Sequence, residues 1–359
     1  MIKEREVKAV IFSFLFVVVL MSAYYILRPV RDAMASDWTD AEVSWLWTLN
    51  FFISTGIVAL YGIAVSKFHF RLLVPTMYGI FAGSFIMFYL LGSISDDRTL
   101  IDKAFYVWVS VFSLFNISVF WSFMSELFSK EQSGRLFGII AVGASVGGLI
   151  GPSITAFFSV SIGTDNLMLI ASTMLLIPIP IIFYLQSLKA TDLNNGKLDL
   201  TPTSQPIGGN PIAGFKLLFS NPYLLSIALF IFLYTGISSF VYFELKNLLS
   251  DLSRPERSAI WAQMDLAVNI LSISIGLFAT GRIVSRFGMP VTIAMVPVMV
   301  CVGLIILAIS PLLGVVMVLQ IIRRAGNYGM TRPAREMLFT LVNRETRFKA
   351  KPVIDIVAY

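Results

Sequence analysis

The sequence predicts an all-α membrane protein built as two six-helix halves, the second of them incomplete. Composition is the first observation behind that reading. Of 359 residues, 57% are hydrophobic and only 13% charged, with mean hydropathy +0.82. Soluble domains run about 45–50% apolar and about 25% charged. The second observation is the recurrence of apolar runs long enough to cross a bilayer as a helix, about 20 residues each. The third is a polar break that leaves six such runs before it and at least four after it.

The runs cover residues 9–27, 45–65, 72–94, 104–125, 136–159 and 167–185, then 223–245, 262–281, 290–309 and 312–340. An eleventh starts near Pro352 and is still apolar at Tyr359. The first run is longer than the apolar core of a cleavable signal peptide, and no cleavage site follows it. Segment 186–222 is polar and rich in Pro, Gly, Asn and Thr, the composition of a linker. The expected organisation is therefore an N-terminal bundle over 1–185, a linker over 186–222 and a C-terminal bundle over 223–359. With about 10–11 spans in hand, completing a second set of six takes roughly 60–80 more residues.

The chain carries 27 Lys and Arg against 21 acids, a net charge of +6. An excess of that kind on one face would suggest nucleic acid, but these charges lie mostly in short loops between apolar runs, so no nucleic-acid partner is expected. With the N-terminus inside, the inner segments hold 16 Lys/Arg and the outer segments 7. That bias predicts a cytoplasmic N-terminus, with the bilayer as the protein's environment and a bacterial cytoplasmic membrane as the default location. Cys301 and His69 are the only cysteine and histidine. One of each leaves no basis for a His/Cys metal centre, and no cofactor is expected. Cys301 itself, inside an apolar run, reads as a packed small hydrophobe.

Two short echoes link the halves. Asn50 precedes Ser66-Lys67-Phe68 by 16 residues, and Asn269 precedes Ser285-Arg286-Phe287 by the same 16, at an offset of 219. Ser129-Lys130-Glu131 and Asn343-Arg344-Glu345 repeat at an offset of 214. Equivalent loops after the second and eighth helices are the pattern of two parallel repeats. The stretches Gly62–Arg71 and Gly281–Gly288 resemble the inner loop motif of the major facilitator superfamily, without its usual acidic residue. In run 136–159, Gly143-Ala-Ser-Val-Gly-Gly-Leu-Ile-Gly-Pro152 places small residues at three- and four-residue steps. In lipid that spacing permits close helix packing. It is no nucleotide loop, since no strand precedes it.

Charges inside the spans are the candidates for function. Arg323 and Arg324 lie about 11 residues, roughly 16 Å, into the last long run. A charge at that depth costs at least about 2.5–3.5 kcal/mol, so both should face a cavity or a buried partner. Asp265 and Glu244 are the acids available to pair with them, and they are also the candidate proton-coupling groups. Arg332, Arg335 and Glu336 sit nearer the cytoplasmic end, where snorkelling to the interface is the simpler reading. Arg28, Arg31 and Asp32 close the first run beside Pro29, which frees backbone groups that only a cavity or neighbouring protein can satisfy. Asn50, Asn116, Asn269 and Asn327 are mid-span amides suited to substrate or to neighbouring helices.

These residues also carry a resemblance. Tyr25-Ile-Leu-Arg-Pro-Val-Arg-Asp32 resembles the end of the first helix in the nucleotide translocases, the ATP/ADP exchangers of plastids and intracellular bacteria. Phe120-Trp-Ser-Phe-Met-Ser-Glu126, Glu131, Arg135 and Phe137-Gly138 are similar to that family's junction of helices 4 and 5. Asn221-Pro-Tyr223, Tyr234, Gly236 and Lys246 match its helix 7. Tyr328-Gly-Met-Thr-Arg-Pro-Ala-Arg-Glu-Met337 and Lys349-Ala-Lys-Pro-Val-Ile-Asp355 match its helix 10 and the loop beyond. The order is kept over most of the chain. Asn327, Arg332 and Tyr242 depart from the family, which has a lysine, an acid and a glutamate there. The resemblance implies a major-facilitator-like 6+6 bundle that exchanges nucleotides by antiport.

The expected function is thus a transporter working by alternating access on an anionic small-molecule substrate, with nucleotides leading. The substrate-binding candidates are Arg28, Arg31, Asp32, Asn50, Asn269, Arg323, Arg324, Asn327, Tyr328, Arg335 and Glu336. A proton-coupled carrier of a drug or nutrient is the alternative, and a non-transporting receptor or enzyme the third reading. No nucleophile elbow or kinase-like loop supports an enzyme. The charge bias places the linker in the cytoplasm. With Cys301 replaced, a cysteine at Ser204 should resist impermeant maleimide in intact cells, and ready labelling from outside would invert the topology.

Overall fold

The computed structural model describes residues 2–67, 70–191, 193, 218–338 and 354. Among them the chain is helical and contains no strand. It divides into two compact units, one of Met1–Leu198 with Leu249–Leu266, the other of Asp199–Leu248 with Ala267–Tyr359.

The first unit holds α1 (Val7–Met34), α2 (Asp40–Lys67), α3 (Phe70–Ile94), α4 (Thr99–Leu127), α5 (Lys130–Ile162), α6 (Thr164–Met174) and α7 (Pro178–Thr191). In the second half of the chain come α8 (Pro222–Leu248), α9 (Arg254–Ser274), α10 (Thr280–Ile309), α11 (Leu313–Gly326) and α12 (Arg332–Leu338). Short π-helical turns, Ile275–Ala279 and Asn327–Thr331, join α9 to α10 and α11 to α12. Within the described residues, each of the ten apolar runs falls largely on helix. Among the described residues seven helical stretches are long and apolar enough to span a membrane. The longest, Arg254–Ile309, has a non-helical residue at Gly288, with φ +79°, and so folds as two spans.

The chain's chemistry sets the ends of these helices. Ser129 caps α5 with its hydroxyl on the Gln132 amide, while the Gln132 side chain accepts from the Ser129 amide. That reciprocal cap starts α5 six residues before the apolar run begins. Run 167–185 is broken into α6 and α7 ahead of Pro178, because proline offers no N–H to the preceding turn and disfavours helical backbone just before it. The molecule also turns its apolar side chains outward. Trp45, Phe157, Phe240 and Ile309 are largely exposed, as a surface facing lipid requires. Cys301 belongs to this outer surface and not to a packed core, because its turn of α10 points outward.

The small-residue stripe of α5 is the seam of the first unit, whose most extensive helix pair is α1 with α5. A Cβ added at Gly147 would lie 2.5 Å from the Val18 carbonyl oxygen, and one at Gly151 would lie 2.5 Å from that of Ser22. Backbone meets backbone here, and Ser22 Oγ donates across the seam to the Gly147 carbonyl at 3.4 Å. This is the close approach that the spacing predicts. In the second unit the two π turns meet. Thr280 Oγ1 donates to the Gly329 carbonyl at 2.6 Å, and a Cβ at Gly329 would press on Ile275 and on the Ser272 carbonyl at 2.9 Å. Both turns sit beside residues singled out by the sequence, a common placement for π segments.

The seam yields a direct test. Gly147→Ala should destabilise the purified protein by on the order of 1–3 kcal/mol, the usual cost of overpacking a site with no room. Gly138→Ala, on the same helix with nothing within 4 Å of the added carbon, should leave the thermal midpoint unchanged or slightly raised.

Candidate functional site

At the end of α1, positions 28, 31 and 32 fall on one helix face because they are spaced by three and four residues. Arg31 donates from Nε and Nη2 to Asp32 Oδ1 at 3.0 and 2.6 Å and from Nη1 to Ser110 Oγ at 3.2 Å. Its guanidinium lies 5.3 Å from the centre of the Tyr106 ring. Tyr106 is in turn fixed by the Trp47 indole, which donates to its hydroxyl at 2.7 Å. Arg28 stands 3.7 Å from Asp32 and 3.7 Å from Asp265, a residue only 2% exposed. Two cations and two anions make this cluster electroneutral.

A second charged layer lies further along, and sequence reading did not single it out. Asp37, just past α1, accepts from Arg254 Nε and Arg257 Nη1, both at 2.6 Å. Asp102, near the start of α4, sits 2.7 Å from Arg254 Nη2, close as a charge contact though poorly aligned as a hydrogen bond. Arg257 also donates to the carbonyls of Ala33, Ser250 and Leu252. This layer too has two charges of each sign. The available signal was the i, i+3 spacing of Arg254 and Arg257 at a helix start, which loop composition hid.

Outside the spans, two surface groups show the same pairing. The Lys103 ammonium, helped by the Thr39 amide and hydroxyl, holds the Glu42 carboxyl down at about 2. The hydrogen bonds that Arg98 donates to the Asp165 carboxylate raise its guanidinium above the usual value.

The second unit builds a different site around Arg323. Its side chain is buried, with the residue 9% exposed. Nε and Nη2 both donate to Gln320 Oε1, at 3.0 and 2.7 Å, and Nη1 donates to Ser238 Oγ. Ser238 spends its own proton on the Tyr234 carbonyl at 2.7 Å, and the Tyr234 hydroxyl donates to the Arg323 carbonyl at 2.8 Å. Arg323 is thus knotted to α8 by two residues one turn apart. A guanidinium has five N–H donors, of which these contacts use three. Among the described residues no carboxylate forms a salt bridge with it.

The other candidates lie around these centres. Arg324 is buried next to Arg323 on α11. Asn327 and Tyr328 occupy the π turn, Tyr328 exposed and Asn327 half-buried. Asn269, half-buried on α9, belongs to the second unit, as does the half-buried Glu244 on α8. Asn50 on α2 accepts from Ser54 Oγ at 3.2 Å. Asn116 is buried; its backbone carbonyl accepts from the Tyr78 hydroxyl at 3.1 Å, and its side-chain Nδ2 lies 3.9 Å from the Met21 sulfur. Two expectations change. Asp265 is paired with Arg28 and not with Arg323, because its stretch of α9 packs in the first unit. Arg335 does not snorkel: it is buried, with Glu336 3.6 Å away to offset its charge.

Helices that turn apolar surface outward and hold buried charges define the class, an integral membrane protein. The chain belongs to the Major Facilitator Superfamily, whose family model matches residues 11–343. Among curated proteins it is similar to the "ADP,ATP carrier protein 1" of Chlamydia muridarum, 26% identical over 75% of this chain and 58% of the relative. The protein of that name from Chlamydia trachomatis is 24% identical over 80% of this chain and 61% of its own length. The chain therefore spans about three-fifths of the length of these relatives. Among solved structures, the nucleoside transporter NupG aligns with a TM-score of 0.68 at 13% identity, covering 99% of this chain and 88% of that one. A bacterial homolog of the human lysosomal transporter Spinster aligns with a TM-score of 0.60 at 15% identity, over 99% and 80%. These two likenesses show the fold.

The second charged layer predicts a stability effect. Arg257→Ala strips partners from three carbonyls and one carboxylate and should destabilise the protein by about 3–5 kcal/mol. Arg257→Lys should recover only part of that, because an ammonium cannot reproduce the fork. Thermal midpoints of the purified variants check both.

Proposed function

We propose that this carrier exchanges anionic, phosphorylated solutes across a bacterial cytoplasmic membrane by alternating access, with nucleotides as the leading class. The observation that carries the reading is Arg323, a buried cation held by a neutral amide and a neutral hydroxyl. A buried charge without a countercharge is costly, and a bound anion supplies one. Two N–H groups, one on each Nη, remain after Gln320 and Ser238 are served, which suits a bidentate phosphate or carboxylate. Arg324, Asn327 and Tyr328 follow within five residues and are assigned to the same site.

The similarity to ADP,ATP carriers supports the nucleotide class. In this reading Arg28, Arg31 and Asp32 serve the first unit as a neutral network. The 186–222 linker and the N-terminus lie in the cytoplasm, the N-terminal six-helix bundle is 1–185 and the C-terminal bundle is 223–359. A proton-coupled carrier is the competing reading, favoured by one observation, the buried Asp265 beside Arg28. Under that reading Asp265→Asn abolishes transport driven by a pH gradient, while exchange driven by labelled solute alone persists.

Arg323→Ala should lower affinity for ATP by on the order of a hundredfold, the scale of about 2–3 kcal/mol for a lost charge-assisted pair. Arg323→Lys should recover part of it. Equilibrium binding of ATP to the purified variants, with the fold checked by circular dichroism, reads both. Unchanged affinity in a folded Arg323→Ala protein would refute the site.

A further inference from the structure

We infer that Gln320 sets the charge of this site: it holds the Arg323 guanidinium in the geometry of a salt bridge while withholding the countercharge. The inference rests on the anion reading above and deepens it. Gln320 is 2% exposed and lies one helical turn before Arg323 on α11. Its Oε1 takes both Nε and Nη2, the edge that a carboxylate would take. The amide orientation follows from chemistry, because a guanidinium only donates and the oxygen must therefore face it. Glutamate has the same size and reach and would accept the same two bonds. As a partner for a buried arginine it would be the stronger choice, since buried charges are ordinarily paired.

A glutamine at this position keeps the hold and leaves the charge. The same economy is visible in Ser238, the other partner, which is also neutral. The contrast inside the chain is direct: Arg28, Arg31, Arg254 and Arg257 each have an aspartate within 3.7 Å. Gln320 is therefore a positioning residue that makes Arg323 selective for anions without touching the anion itself.

Two isosteric or near-isosteric variants of the full chain separate charge from support. Gln320→Glu should raise the ligand-free thermal midpoint at neutral pH, because the buried cation gains its countercharge. It should also weaken ATP binding by at least about tenfold, because ATP must then compete with a built-in carboxylate. Gln320→Leu removes the acceptor without adding charge, and should lower both the midpoint and the affinity. A Gln320→Glu protein whose ligand-free midpoint is unchanged or lower, or which binds ATP as tightly as wild type, overturns the inference. If Gln320→Glu raises the midpoint while wild type itself shows no ATP binding, the charge-setting role of Gln320 stands. The anion reading of the site is then the part that has failed.

Discussion

An arginine placed inside a lipid-embedded helix must be answered by another group, and the way each one is answered organises the polar residues of this protein. In the two charged layers of the first unit the answer is an aspartate. Arg28 and Arg31 meet Asp32 and Asp265, and Arg254 and Arg257 meet Asp37 and Asp102. In the second unit Arg323 is answered by an amide and a hydroxyl. The first arrangement removes charge from the interior, and the second keeps it there. Neutral pairs stitch helices together, whereas a retained charge is a place for something that arrives from outside.

The rest of the architecture serves to hold those groups. The α1–α5 seam brings backbones so close that the turn carrying Arg28, Arg31 and Asp32 is fixed from behind. In the second unit the meeting of the two π turns, locked by the Thr280 hydroxyl on the Gly329 carbonyl, fixes the turn that presents Asn327 and Tyr328. Small residues and hydroxyls do this work because hydrocarbon surroundings offer helices no hydrophobic reason to associate. Packing and polar contacts are what remain.

The spans were legible because bilayer thickness imposes a run length that composition cannot hide, and within the described residues all ten runs lie largely on helix. The arginines of α11 and the charged end of α1 were legible for the same reason, as charges where none should stand. The partners were less so. Asp265 sits in a run from the second half of the chain, and its position near Arg28 depends on a tertiary contact that no spacing encodes. Arg254 and Arg257 lie beyond the apolar run that begins at 262 and so read as loop. Gln320 and Ser238 are ordinary residues whose meaning appears only once Arg323 is seen between them. Residues 343–351, where the second echo falls, lie outside the described residues.

The proposed role of the buried, uncompensated cation is to make this protein an exchanger of anions. Counterflow tests it most directly. Proteoliposomes carrying the protein and preloaded with unlabelled ATP should accumulate labelled ADP from outside in the absence of any ion gradient, and empty vesicles should not. Labelled ADP that fails to accumulate in preloaded vesicles, with transport of an uncharged solute driven by a proton gradient instead, would contradict the account.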